Sequence, residues 1–107
     1  GTAGLPRLMH YLLRYTYVPD VAERRAPYRA AHLKALWDEA DAGRILLAGG
    51  AGDPMSEGVI VFDVEDPELV HEFARTDPYR EAGLILDYTV TPWHTVVGDV
   101  SKNPTRP

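Results

Sequence analysis

The chain has 107 residues, of which 45% are hydrophobic and 25% are charged, and its formal net charge is −5. This length supports one domain with one core, and the composition is that of an ordinary soluble globular protein. The negative charge argues against a nucleic-acid partner, because no basic stripe exists to displace counterions from phosphates. The basic residues are scattered singly or in the pair Arg24-Arg25, as on a solvated surface. The absence of cysteine excludes disulfides, thiolate nucleophiles and Cys-ligated metals.

The ends of the chain and its hydropathy give the expected domain limits. No apolar run approaches the about 20 residues that a membrane span needs, and no signal peptide opens the chain, so a cytoplasmic location without membrane contact is expected. The folded domain is predicted to span residues 8–99. Residues 1–7 are interpreted as a tag remnant or a disordered start, and residues 100–107 as a disordered tail.

Hydrophobic periodicity predicts the elements of the first half. Aromatic and β-branched residues alternate over residues 10–18, which is typical of a strand. Residues 27–42 predict a helix, with a proline in its first turn and a glycine directly after its end. A short buried strand over residues 45–48 and a flexible glycine-rich loop over residues 49–58 are expected to follow.

The second half repeats the alternation of strand and helix. Residues 59–64 predict a third strand. Asp66-Pro67 is typical of a helix start, because an N-cap acceptor precedes a first-turn proline, and this helix is expected to end near Arg75. A short turn over residues 79–83 and a last strand over residues 84–91 complete the domain.

The order β-α-β-β-α-β predicts an α+β, ferredoxin-like fold. In this fold four strands form an antiparallel sheet, and two helices cover one of its faces. Both faces of the first strand carry bulky apolar side chains, so the other face would expose hydrophobic area to water. Burying that area against a second copy is favourable, and we expect a homodimer that packs sheet against sheet.

This topology brings together a histidine and an aspartate that are far apart in sequence. His32 lies near the start of the first helix, and Asp77 lies just past the end of the second, at the same end of the molecule. A carboxylate that accepts an imidazole N–H fixes the tautomer, and the other ring nitrogen can exchange a proton near neutral pH. Asp77 also precedes Pro78, which suits it to cap the following turn. Gly49 would let a substrate approach the backbone closely.

Three motifs resemble the YciI-like (YCII-related) family. They are Arg29-x-x-His32-Leu33-x-x-Leu36, the run Gly43-Arg44-Ile45-Leu46-Leu47-Ala48-Gly49, and Asp77-Pro78-Tyr79-x-x-Ala82-Gly83-Leu84. The resemblance covers nearly all of residues 9–97. It implies a dimeric α+β barrel-type fold and a catalytic His32–Asp77 dyad, with Arg29 binding a substrate anion or supporting the site. It further implies proton-transfer chemistry, such as dehydrohalogenation of small aromatic compounds, without a metal or an organic cofactor.

Two hypotheses about function follow. The first is a cofactor-independent enzyme of lyase, dehydrohalogenase or isomerase type that acts on a small, cyclic or aromatic substrate. The second is a non-catalytic small-molecule-binding or interaction module of the same fold, in which His32 only packs at the edge of the core. Tyr79 is assigned to core packing and substrate contact rather than to a catalytic phenol, and Arg29 could equally be a solvated residue of the first turn.

The other histidines are weaker candidates. His10 and His94 lie on strands that are neighbours in this topology, so their imidazoles could meet. A metal site would need a third ligand, and none is evident, so packing or exposure is favoured and no metal is expected. His71 lies off the apolar stripe of its helix and is expected to be solvated.

Overall fold

The computed structural model describes residues 9–107 of the chain. The strands are β1 (His10–Tyr17), β2 (Ile45–Ala51), β3 (Glu57–Phe62) and β4 (Ile85–Trp93). The helices are α1 (Val21–Arg24), α2 (Arg29–Asp41), α3 (Glu68–Thr76) and α4 (Pro78–Glu81), and a 3₁₀ turn over Ala26–Tyr28 precedes α2. The sheet order is β2-β3-β1-β4 with every pairing antiparallel, which confirms the predicted ferredoxin-like arrangement.

The core lies between the sheet and the helices. The alternation along β1 points Leu13, Tyr15 and Tyr17 toward the helices, where all three are buried. Ile60 pairs with Leu13 from β3 and is also buried, and Val70 contributes the buried face of α3. The central strand therefore carries large aromatic side chains from the sheet directly toward the ends of the helices.

Strand β2 differs from the predicted short buried strand. Ile45 is buried, but Leu47 is 73% exposed, because β2 is an edge strand and Leu47 faces away from the helices. The strand also continues to Ala51, so Gly49 pairs with β3 and does not belong to a loop. The connection between the two strands is reduced to residues 52–56.

The helical region that follows β1 is broken into three pieces. The sequence predicts one helix from residue 27, whereas the structure has a short helix α1 beginning at Val21, then the 3₁₀ turn that contains Pro27, then α2 from Arg29. His32 consequently lies in the first turn of α2. None of the helices in residues 9–107 is both long enough and apolar enough to cross a membrane.

Segment 100–107, which the sequence predicts to be a disordered tail, runs back along the end of the sheet. The backbone N–H of Lys102 donates to Thr95 Oγ1 at 3.0 Å, and the Lys102 ammonium lies 2.6 Å from the Asp63 carboxylate. The backbone N–H of Thr105 donates to the Val96 carbonyl at 2.8 Å. Residues 1–7, for which a tag remnant or a disordered start is predicted, lie outside the described residues, and the domain limits stay a prediction.

Candidate active site

His32 and Asp77 meet at one end of the molecule. The Nδ1–H of His32 donates to Asp77 Oδ1 at 2.8 Å. His32 is 6% exposed and Asp77 is 1% exposed, so the pair lies almost entirely away from water. Because β1 and β3 are antiparallel, α2 and α3 run in opposite directions over the sheet. The start of α2 therefore lies beside the junction of α3 and α4, where Asp77 is found.

The Asp77 carboxylate is held by three donors. Asp77 has extended backbone angles, φ −59° and ψ 130°, because the following proline disfavours helix, and α3 ends there. Its Oδ1 also accepts the Tyr79 backbone N–H at 2.9 Å, which is the predicted cap of α4. Its Oδ2 accepts the Tyr15 hydroxyl at 2.9 Å. The sheet and two helices together fix the orientation of this carboxylate.

Tyr79 fixes the plane of the imidazole. Its ring stacks on His32 with 3.7 Å between centroids and 9° between planes. The Tyr17 ring meets the Tyr79 ring edge to face, with 6.1 Å between the two centroids. The Tyr79 hydroxyl is buried and has no hydrogen-bond partner among the described residues. Tyr79 therefore packs in the core, as predicted, and also lies against the candidate base.

A cavity of about 190 Å³ opens beside the imidazole. Arg29, His32, Gly49 and Tyr79, which the sequence nominates, all line it. Asp77 lies behind His32 and orients it from outside the cavity. Much of the remaining wall is apolar and comes from α2, β3 and the β2–β3 connection; it includes Leu33, Leu36, Met55 and Ile60.

Two buried phenols keep their protons beside this site. Burial, and after it the negative charge of Asp77, raises the pKa of Tyr15 well above its usual value. The same two causes, in the same order, raise the pKa of Tyr17. Both side chains are therefore neutral phenols near neutral pH, and Tyr15 acts as a hydrogen-bond donor to the carboxylate.

Arg25 also lines the cavity, although the sequence suggests a solvated Arg24-Arg25 pair. Arg24 does face solvent, with its guanidinium 3.5 Å from the Asp20 carboxylate. Arg25 turns inward, and its Nη1 lies 3.9 Å from Met55 Sδ. The signal in the sequence is the spacing from Val21, a core residue four positions earlier, since residues four apart share a helix face.

His10 belongs to a second, separate cavity. The side chain is buried, and its Nδ1 is hydrogen-bonded to Thr95 Oγ1 at 2.9 Å. His10 and His94 line an apolar cavity of about 520 Å³ together with Leu47 and Trp93. This cavity is the larger of the two, but it lies on the open face of the sheet and lacks the dyad. Residues 9–107 contain no group of three or more side chains placed to hold a metal ion.

His71 is not solvated as the sequence suggests. Its Nδ1 lies 3.1 Å from the Tyr88 hydroxyl, and the two rings meet edge to face with centroids 5.7 Å apart. The side chain is partly buried because α3 crosses the sheet beside β4. His71, which lies outside the apolar stripe of α3, thus faces β4 rather than water.

The comparison with protein families identifies this domain. The model of the YCII-related domain matches residues 9–94. The chain belongs to the YCII-related family. An uncharacterised protein from Haemophilus influenzae is 28% identical over 97 residues, and the match covers 82% of this chain and 99% of that protein.

A solved structure with the same fold comes from an enzyme. It is 5-chloro-2-hydroxyhydroquinone dehydrochlorinase (TftG) from Burkholderia phenoliruptrix AC1100, in complex with 2,5-dihydroxybenzoquinone. The TM-score is 0.68 and the sequence identity 25%, and the match covers 81% of this chain and 95% of the other. The dimeric α+β barrel type of fold expected from the family resemblance is consistent with this match.

Proposed function

We propose that this YCII-related protein is a cofactor-independent enzyme in which His32 exchanges a proton with a small substrate. The observation that carries the proposal is the buried 2.8 Å contact between His32 Nδ1 and Asp77, beside a cavity that the imidazole lines. The contact leaves the opposite ring nitrogen, Nε2, for the substrate. The likeness to a dehydrochlorinase supports a catalytic role for the fold.

The dyad suits general acid/base chemistry. Nε2 of neutral His32 takes a proton from an activated C–H or O–H of the substrate, and the Asp77 carboxylate stabilises the imidazolium that forms. In an elimination, the electron pair of the bond to the removed proton forms a double bond, and the leaving group departs with the electron pair of its own bond to carbon. In an isomerisation, His32 returns the proton to another carbon. Both reactions balance without an external oxidant or reductant.

The remaining cavity residues would bind the substrate. Gly49 presents no side chain, and a Cβ there would meet nothing within 4 Å, so the backbone is open to a ligand. Tyr79 supports the imidazole from one face, and Arg29 supplies positive charge. A cavity of about 190 Å³ suits a small molecule such as a single substituted ring. These roles support a small, cyclic or aromatic substrate.

The proposal is tested with chlorinated hydroxyhydroquinones, by measuring the release of chloride. Replacing His32 by Gln is expected to lower kcat by at least about 10²-fold, since general acid/base catalysis contributes about that much or more. His71→Gln is the matched control, because His71 is a partly buried histidine outside the cavity. Unchanged turnover in a folded His32→Gln protein would rule the proposal out. Saturable quinone binding by the wild-type chain without any turnover would favour the non-catalytic module instead.

A second copy of the chain would cover the open face of the sheet. Exposed apolar side chains line the cavity that also contains His10, and they include Leu47, Trp93 and Val97. A homodimer packed sheet against sheet would remove them from water. Leu47→Glu is expected to shift the sedimentation of a dimer to that of a monomer, whereas Leu69→Glu, at an exposed position on α3, should not. A wild-type chain that sediments as a monomer at high micromolar concentration would contradict this dimer.

A further inference from the structure

The cavity beside His32 is positively charged. Two arginines, Arg25 and Arg29, line it, and none of the described residues that line it is acidic. Most other cationic side chains in residues 9–107 pair with carboxylates; the arginines that do so are Arg14, Arg24, Arg44 and Arg75. Within the same residues, Arg25 and Arg29 take part in no salt bridge.

The position of Arg25 makes this charge available to a ligand. The one hydrogen-bonding contact of the Arg25 side chain in the described residues is with the Met55 sulfur, a weak acceptor. Arg25 is partly buried because α1 anchors Val21 in the core one turn earlier. A guanidinium carries five N–H donors in a planar fork, so most donors of Arg25 are left without a strong acceptor. The matching ligand group is a carboxylate, which accepts two parallel N–H bonds.

The rest of the cavity limits the size and shape of that ligand. Its volume is about 190 Å³, and its walls beside the arginines are apolar side chains and the stacked rings of His32 and Tyr79. A compact, flat hydrocarbon body fits such walls, whereas a second charged group would lose its hydration without gaining a partner.

We infer that this site takes a small planar monocarboxylate, with the carboxylate bound by Arg25 and Arg29 and the reacting C–H directed at His32. Arg25 is then a specificity-determining residue of the site. The inference rests on the proposed function for the role of His32. The two guanidinium groups would also stabilise the negative charge that develops on the substrate when His32 removes its proton.

The test is a binding measurement that does not depend on turnover. Benzoate and its uncharged isostere benzamide are titrated into ¹⁵N-labelled protein at pH 8 and constant ionic strength, and backbone signals of Gly49 and Tyr79 are followed. Benzoate is expected to bind at least about tenfold more tightly than benzamide, since hydrogen bonds between a guanidinium and a carboxylate are charge-assisted and stronger than those to a neutral amide. Arg25→Gln and Arg29→Gln should each weaken benzoate binding about tenfold, and together should abolish the preference.

Arg24→Gln is the matched control, because Arg24 is the last residue of α1 and directly precedes Arg25 in the chain, but pairs with Asp20 in solvent. It should leave benzoate affinity unchanged. Equal affinities for benzoate and benzamide, an unchanged affinity in Arg25→Gln, or no saturable shift at tens of millimolar benzoate would each overturn the inference.

His32→Gln separates this inference from the proposed reaction. The variant should keep its preference for benzoate, because the arginines supply the charge. If His32→Gln keeps the preference for benzoate over benzamide but no longer releases chloride from chlorinated hydroxyhydroquinones, both proposals are supported. Retained preference with unchanged turnover refutes the catalytic role of His32 alone, and lost preference in this variant refutes the assignment of the anion to the arginines.

Discussion

Nδ1 of His32 lies 2.8 Å from Oδ1 of Asp77, although 45 positions separate the two residues along the chain. The contact exists because α2 and α3 run in opposite directions across one face of the sheet. It is reinforced by Tyr15, which reaches the same carboxylate from the centre of the sheet. The candidate site is therefore joined to the core and does not rest on a mobile loop.

Removing the Asp77 carboxylate should destabilise the fold. Asp77→Ala leaves the His32 N–H, the Tyr15 hydroxyl and the Tyr79 N–H without their acceptor, and we expect it to lower the free energy of unfolding by about 3 kcal/mol or more. Asp77→Asn keeps one acceptor oxygen and should lower it by about 1–2 kcal/mol. Urea unfolding measures both.

Asp38→Ala provides the comparison. Asp38 is exposed and pairs with Lys34 on the surface of α2, so its loss should change the free energy of unfolding by less than about 1 kcal/mol. Similar values for Asp77→Ala and Asp38→Ala would show that the three hydrogen bonds to Asp77 contribute little to stability.

Alkaline pH should unfold the protein through its buried phenols. The folded-state pKa of Tyr15 is raised above its ordinary value of 10.0, first by burial and then by the charge of Asp77. Above that ordinary value the unfolded chain releases the Tyr15 proton while the folded chain keeps it. This proton linkage therefore lowers the free energy of unfolding as pH rises, by about 1.4 kcal/mol per pH unit for each such group. Tyr17 has a raised pKa for the same reasons and adds to the effect.

Urea unfolding between about pH 9 and 11.5 tests this linkage. Tyr15→Phe should show a shallower fall in the free energy of unfolding above pH 10 than the wild type, by the contribution of one proton. Tyr28→Phe, at a 41% exposed position, should keep the wild-type slope. Identical slopes in all three proteins would contradict the assignment to Tyr15.

Acid should lower the free energy of unfolding through His10. Burial lowers the pKa of His10, the nearby Asp63 carboxylate partly opposes this, and Lys102 lowers it further. Below the ordinary value of 6.5 the unfolded chain binds a proton that folded His10 does not, so this group makes stability fall as pH falls. His10→Gln should therefore have a flatter dependence of unfolding free energy on pH between about 6.5 and 5 than His94→Gln, which alters an exposed histidine. Parallel curves for the two variants would refute this role.

Two glycines of neighbouring strands should respond differently to a methyl group. A Cβ on Gly58 would lie 2.4 Å from the Tyr17 hydroxyl oxygen and 3.1 Å from Tyr15 Cδ2, so two packed rings would have to move. Gly58→Ala should lower the free energy of unfolding by about 1–3 kcal/mol. Gly49→Ala meets nothing within 4 Å and should be close to neutral. Thermal unfolding of the two variants provides the comparison, and equal melting temperatures would contradict the predicted difference between them.

Local features of the structure could be predicted because they depend on adjacent residues. Gly43 follows α2 with φ 81°, as its predicted capping position requires. The Asp66 carboxylate accepts the Glu68 N–H at the start of α3, and Asp77 caps α4 in the same way. The period-2 alternation over residues 10–18 correctly predicted strand β1.

Features that depend on position in the sheet could not be predicted in this way. An apolar run such as residues 45–48 favours a buried strand, and only the pairing order makes β2 an edge strand with Leu47 exposed. His71 lies off the apolar stripe of α3, and only the path of that helix beside β4 brings it to Tyr88. The inward turn of Arg25 likewise depends on the anchoring of Val21.

The sequence by itself determined the order of the elements, the caps and the turns. It also contained the two residue types of the candidate dyad, a histidine that can exchange a proton and an aspartate that can orient the imidazole. Tertiary structure decided which distant side chains share a site: Tyr15 with Asp77, Tyr79 with His32, and Arg25 with Arg29 at one cavity. The physical reason is the distance along the chain over which each kind of interaction acts. Backbone conformation responds to neighbours a few residues away, whereas hydrogen bonds and ring contacts between distant residues depend on strand register and on how the helices pack over the sheet.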